Sequence, residues 1–279
     1  MPQTVEFILR RYPVREIEGY KEGEVIMTLA IVYGLISGST LIIGALMGVF
    51  IKIPQKTNGA IMAFASGVLI SALTIDLMYN AYRLGGLYNV SAGFILGTII
   101  YVSGDYLIDY MGGHFRKRKH GVIHEKKSYN STDVKKGSGY AIFLGAILDG
   151  IPESLAIGIG LANGKGLGLS MMIAVFLSNF PEGISGANGM KAEGKTNRYI
   201  IFVWACTLAV TVFAVVLGYI FSGKASDNNI AVMYAIAAGG ILSMIADTMM
   251  PEAYEEGGRA VALITALGFL LAFIVSEVA

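Results

Sequence analysis

Two carboxylates, Asp149 and Glu153, stand four residues apart in the stretch LDGIPESLAIGIG, with Pro152 beside the glutamate. The next apolar stretch, LSNFPEGISG, repeats the arrangement: Ser178 and Glu182 keep the spacing, Pro181 precedes the glutamate, and Asn179 follows the serine. Residues i and i+4 share one face of a helix. Each pair therefore presents its oxygens in a column. The prolines add to the set, because Pro152 cannot donate to the carbonyl of Leu148, nor Pro181 to that of Leu177. Carboxylates, a hydroxyl, an amide and freed carbonyls make a hard oxygen set. No Lys, Arg or His lies near the middle of either stretch to neutralise the acids. A cation from outside is the partner that such a set accepts. The candidate ligands are Asp149, Glu153, Ser178, Asn179 and Glu182. A single proline-kinked helix with a protonated glutamate would need no ion. Two such motifs at matching depth in consecutive stretches favour the ion.

The elements that must position them are membrane helices. The chain is 54% hydrophobic and 15% charged, where soluble domains carry about a quarter charged residues. A spanning helix needs about 20 mostly apolar residues. The sequence predicts an all-α integral membrane protein with eight spans: 25–51, 57–84, 87–112, 138–163, 167–191, 197–222, 229–251 and 258–278. An acid at mid-membrane costs about 2.5–3.5 kcal/mol on insertion scales, and such residues face a partner or an aqueous path. Residues 1–24 read as an extracytoplasmic leader without the plan of a signal peptide. Residues 25–112 hold spans one to three, 113–137 a basic cytoplasmic loop, 138–191 the metal-binding core of spans four and five, and 192–279 spans six to eight. Loops after odd-numbered spans carry Lys52, Lys56, the 116–136 cluster, Lys191, Lys195, Arg198 and Arg259, whereas those after even-numbered spans carry Arg83, Lys165 and Lys224. Cytoplasmic loops collect Lys and Arg, so both termini are expected outside a plasma or inner membrane. A net charge of +1 gives no field for nucleic acid, and the single Cys206 excludes an intrachain disulfide.

An internal repeat is visible. Residues 65–86, ASGVLISALTIDLMYNAYRLGG, align with 237–258, AAGGILSMIADTMMPEAYEEGG, at an offset of 172. The pair joins span two to span seven, which face opposite ways. Inverted repeats with a site at their interface are the plan of many secondary transporters. The layout expected is 3+2+3, with spans four and five between two inverted halves.

Other acids carry less. Asp76 reads as a cation-attracting residue toward the outer end of span two, or as a helix-end acid at the headgroups; the pathway role is favoured. Asp247 is its rough counterpart toward the inner end of span seven, followed by Glu252, Glu255 and Glu256, which suit an exit or a solvated inner surface equally. Asp105 and Asp109 read as structural polar contacts. His114, His120 and His124 lie dispersed among cations and read as part of a topology anchor.

At the twin Pro-Glu stretches the sequence resembles the ZIP family of divalent-metal transporters. That family's span four carries His-Asn-x-Pro-Glu-Gly, and its span five carries His/Gln-acid-x-Pro-Glu. Here Pro152 and Glu153, then Pro181, Glu182 and Gly183, match. Asp149 and Ser178 stand at the His or Gln positions, Gly150 and Asn179 at the second-donor positions, and Ser154 replaces the Gly. The resemblance implies eight spans, external termini, a variable loop between spans three and four, and movement of a Zn²⁺-, Fe²⁺- or Mn²⁺-class cation by alternating access. No resident cofactor is implied: the metal is the cargo. Span six lacks the bridging acid found in some members, so one ion site is expected rather than two. The all-oxygen set favours Mn²⁺, Mg²⁺, Fe²⁺ or Ca²⁺ over Zn²⁺ on softness, while the family favours zinc or iron. The expected partners are the divalent ion and the lipid bilayer; a homodimer is allowed. Two other classes stay open: an intramembrane aspartyl protease using Asp105 with Asp76 or Asp149, and a transport-inactive metal sensor or scaffold of the same family. The protease leaves the Pro-Glu pairs and the repeat unexplained.

Overall fold

The computed structural model describes residues 22–51, 53–110, 138–164 and 166–278. Most of the expected leader and all of the expected basic loop, with His114, His120 and His124, lie outside these residues. Every described element is helical. They are α1 (Glu22–Phe50), α2 (Gln55–Ala72), a π-helical segment (Leu73–Tyr79), α3 (Asn80–Ile108), α4 (Ser138–Asn163), α5 (Leu167–Ala192), α6 (Asn197–Ser222), α7 (Asp227–Met244), a second π-helical segment (Ile245–Met249), α8 (Met250–Gly257) and, after a 3₁₀ turn (Gly258–Ala260), α9 (Val261–Val278).

Among the described residues six helical stretches are long and apolar enough to cross a membrane; two of them, Gln55–Ile108 and Asp227–Ser276, run to 54 and 50 residues. Straight, these two would measure about 80 and 75 Å, more than twice the apolar thickness of about 30 Å. Neither is straight. Gly86 breaks the first at φ 69° and ψ 178°, and Gly258 breaks the second at φ 65° and ψ −144°. Both conformations penalise any side chain with a Cβ. Near the first break Tyr79, Tyr82 and Tyr88 are exposed; toward the other end of the bundle Tyr106, Tyr110 and Tyr254 are. Tyrosines in two such belts suit the two membrane–water boundaries. The protein is an all-α, multi-pass membrane protein.

Features recur at the repeat's offset. The π segments begin at Leu73 and Ile245, and the left-handed glycines are Gly86 and Gly258, both pairs 172 residues apart. The packing recurs too. A Cβ on Gly67 would strike the Thr265 backbone, and one on Gly239 the Phe94 backbone; Gly268 likewise meets Phe64, and Gly97 meets Ile236. Gly67 and Gly239 are 172 apart, as are Phe64 and Ile236, while α3 and α9 correspond at 171. Small residues let the backbones approach where lipid gives no hydrophobic drive for helices to associate.

Two sub-bundles result. In one, α1 packs on α5 and α6, and α4 packs on α5 and α6; in the other, α2 packs on α8 and α9, and α3 packs on α7. The second is tied at both ends. Asn58 Nδ2 donates to Glu256 Oε2 at 2.7 Å, and Asn89 Nδ2 donates to Asn228 Oδ1 at 3.3 Å. These two ends are called the Gly258 end and the Gly86 end below.

Helix ends fall within a few residues of expectation, with one larger difference. Span seven was expected to stop at Met250–Pro251, yet the helix continues to Gly257. Pro251 is the second residue after the second π segment. A π turn is wider than an α turn, so the proline ring and the carbonyl it cannot bond are accommodated without ending the helix.

Candidate metal centre

α4 and α5 meet at their joint, where Gly160 and Gly168 bring the backbones together. Left-handed Gly164 and Gly166 make the turn between them. Both helices carry their proline inside continuous helix. The face α4 turns to α5 holds Glu153, which is 0% exposed. Ser178 Oγ of α5 lies 3.2 Å from Glu153 Oε1 and 3.4 Å from Oε2, but also 3.1 Å from the Val175 carbonyl. One hydroxyl proton is thus divided among three acceptors. A fully buried carboxylate so thinly served carries a desolvation cost of several kcal/mol unless a proton or a cation joins it.

Asp149, one turn before Glu153, accepts a hydrogen bond from Tyr101 Oη of α3 at 2.6 Å. It lines a cavity of about 80 Å³ together with Glu182, Ser185, Thr248, Trp204 and Glu252. Ser185 Oγ donates to Glu252 Oε2 at 3.1 Å. The Thr248 Oγ1 and Trp204 Nε1 atoms are buried without a hydrogen-bond partner among the described residues. Polar atoms in that state are normally met by water or a ligand. Asn179 Nδ2 donates to the Ser37 carbonyl of α1 at 2.9 Å, while its Oδ1 is buried and has no hydrogen-bond partner among the described residues.

A second cavity of about 80 Å³ lies nearer the Gly86 end, lined by Asp76, Ser71, Ser170, Leu177 and Ser276 among others. Asp76, 3% exposed, accepts from Ser170 Oγ at 2.5 Å and from Ser276 Oγ at 3.1 Å. The polar positions of α5 follow one stripe from this cavity to the other: Ser170, Ser178, Glu182 and Ser185. Over fifteen residues that stripe spans about 22 Å.

Glu153 and Ser178 therefore touch, Asp149 and Glu182 share one cavity, and Asn179 sits beside them but ties α5 to α1. Asp76 lies in the other cavity with its own partners, apart from Asp149. Asp247 is exposed, and its neighbour Thr248 stands 172 residues beyond Asp76 and faces a cavity. Among the described residues no group of three or more Asp, Glu, His or Cys side chains is gathered tightly enough to hold a metal by those groups alone. A hydroxyl, an amide or a carbonyl has to complete any coordination shell here. The residues that spacing alone did not reveal are Tyr101, Ser170, Ser185, Thr248 and Ser276. Glu252 was assigned equally to a solvated surface, though its place in a third Pro-Glu pair was a usable signal.

Residues 111–277 match the family model described as ZIP zinc transporter. The chain belongs to the ZIP zinc transporter family. It is also similar to zinc transporter ZTP29 of Arabidopsis thaliana, 25% identical over 243 residues, which covers 84% of this chain and 87% of that protein. ZIP proteins are divalent-metal transporters rather than enzymes, and the helical bundle of this ZIP chain accords with that class. Its twin Pro-Glu helices are α4 and α5, packed side by side.

Proposed function

We propose that this ZIP protein carries a divalent cation across the membrane through a site between α4 and α5, with Asp149, Glu153, Ser178, Asn179 and Glu182 as the ligand set. The observation that carries the reading is Glu153: wholly buried, in a stretch (138–163) that itself holds no Lys, Arg or His, and met by one shared hydroxyl. A cation between it and its neighbours removes that cost. Asp149 and Glu182 stand on the wall of the adjoining cavity, which gives the ion a route toward Glu252. Asp76 gives it a route at the Gly86 end. Asp247, whose side chain is exposed, serves at most as an outlying charge on that path. The matching π segments, glycine breaks and helix contacts at offsets of 172 and 171 support eight spans in a 3+2+3 inverted arrangement. The α1/α4/α5/α6 bundle then moves against the other to open each cavity in turn. The basic residues after odd-numbered spans orient the Gly258 end toward the cytoplasm, with both termini outside.

Every proposed ligand atom is oxygen, so Mn²⁺ and Fe²⁺ are expected to be taken alongside Zn²⁺. The test is uptake of radiolabelled Zn²⁺ and Mn²⁺ into proteoliposomes. Wild-type uptake lost in both Glu153→Ala and Glu182→Ala supports the reading. Uptake unchanged in both, or a wild type that binds metal without moving it, rejects it; the latter result restores the sensor or scaffold.

A further inference from the structure

α5 is fastened near both ends by the same kind of bond. At the Gly86 end, Ser170 Oγ donates to Asp76 Oδ2 at 2.5 Å. At the other, fifteen residues on, Ser185 Oγ donates to Glu252 Oε2 at 3.1 Å. In each case the serine belongs to the α1/α4/α5/α6 bundle and the carboxylate to the other. Each bond also lies in the wall of a cavity: Ser170 and Asp76 line one, Ser185 and Glu252 the other. The carboxylates sit on the π segment itself (Asp76) or within the turn after one (Glu252), where helices are locally irregular and adjustable.

We propose that Ser170 and Ser185 are paired latches of the transport cycle: each pins α5 to a carboxylate at one end of the bundle, and a cation that takes the carboxylate releases the pin. A carboxylate that ligates a divalent cation loses acceptor capacity for a hydroxyl, and the ion's charge outweighs a single O–H dipole. Arrival of cargo at one cavity is thereby coupled to freeing that end of α5. Ser276 serves as an internal control, since it bonds the same Asp76 from α9, within the carboxylate's own bundle. The inference rests on the alternating-access reading above, but its test needs no transport.

The reporter is Ser71→Cys in a Cys206→Ser background, because Ser71 lines the Gly86-end cavity and is 1% exposed. Its labelling by a membrane-impermeant thiol reagent is measured in metal-free full-length protein in liposomes. Ser170→Ala is expected to speed labelling about 2- to 10-fold, the worth of one net hydrogen bond. Ser185→Ala slows it by a similar factor, because freeing the opposite end favours the state in which this cavity is shut. Ser170→Thr, which keeps the hydroxyl, and Ser276→Ala stay within about twofold of the parent. Thermal melting shows that each variant is folded, and Ser170→Val, which also lacks the hydroxyl and adds no thiol, replaces Ser170→Ala if the alanine fails. Shifts of the same sign for both serines, no shift for either, or an effect of Ser276→Ala equal to that of Ser170→Ala overturns the proposal. Loss of metal uptake in an otherwise correctly labelling wild type would instead strike at the transport reading.

Discussion

Glu153 is the residue on which the proposed site depends. It lies deep between two helices, no basic side chain among the described residues pairs with it, and its hydroxyl partner is shared. Replacement by Ala is expected to weaken metal affinity about 100-fold or more, at or beyond the upper range seen when supporting residues of metal sites are lost; equilibrium binding of Mn²⁺ checks this. Tyr101 acts differently. Its hydroxyl orients Asp149 at 2.6 Å from outside the ligand set. Tyr101→Phe should cost about 10-fold in metal affinity without unfolding the protein, read from the concentration dependence of initial uptake rates. The carboxylates were legible in the sequence because an acid beside a proline in an apolar run violates the composition of a membrane helix. Tyr101 was not legible. A lone tyrosine in an expected span names no partner, and its partner lies 48 residues away. Ser170 and Ser276 were equally silent, since serines in membrane helices commonly bond their own backbone, as Ser66 does with the Met62 carbonyl.

At the scale of elements, close glycine contacts join the helices. A Cβ at Gly44 would overlap the Phe180 carbonyl, and one at Gly183 the Leu41 carbonyl, both across the α1–α5 seam. Gly44→Val should destabilise the protein by roughly 1–3 kcal/mol through overpacking, seen as a lower melting temperature in detergent. Gly86→Ala meets open space and is opposed only by its φ of 69°. Its cost should be nearer 1–2 kcal/mol, from the left-handed backbone alone. Hydropathy and basic residues located the spans, and the shared AY..GG ending exposed the repeat. The π segments were hidden, because one extra residue in a turn barely disturbs a hydrophobic pattern in helices that are apolar nearly all round. The same feature hid the continuation of the helix past Pro251, and so left Glu252 open between an exit role and a solvated surface, where the structure places it on a cavity wall.

For the whole molecule, the repeat and the two bundles make a single mechanical statement. Equivalent contacts recur at offsets of 172 and 171, and on the alternating-access proposal two states of similar energy would be reached by exchanging the roles of the halves. The carboxylates lie along the seam between the bundles: Asp76 at one cavity, Glu153 at the centre, Asp149, Glu182 and Glu252 at the other. The proposed orientation rests on the distribution of basic residues in the sequence. A cysteine placed at Tyr88, 85% exposed near the Gly86 end, should react with an impermeant reagent added outside intact cells, in a Cys206→Ser background. One at Tyr254 should react only after the membrane is opened.

The most direct test of the account is the position of the ion itself. Crystals grown with Mn²⁺ or Cd²⁺ locate the metal by anomalous scattering. The account predicts a peak between α4 and α5, with Glu153 and at least one of Asp149, Ser178, Asn179 and Glu182 at about 2.0–2.6 Å. A saturated crystal with no peak there, or with density held solely by residues away from both Pro-Glu helices, would contradict it.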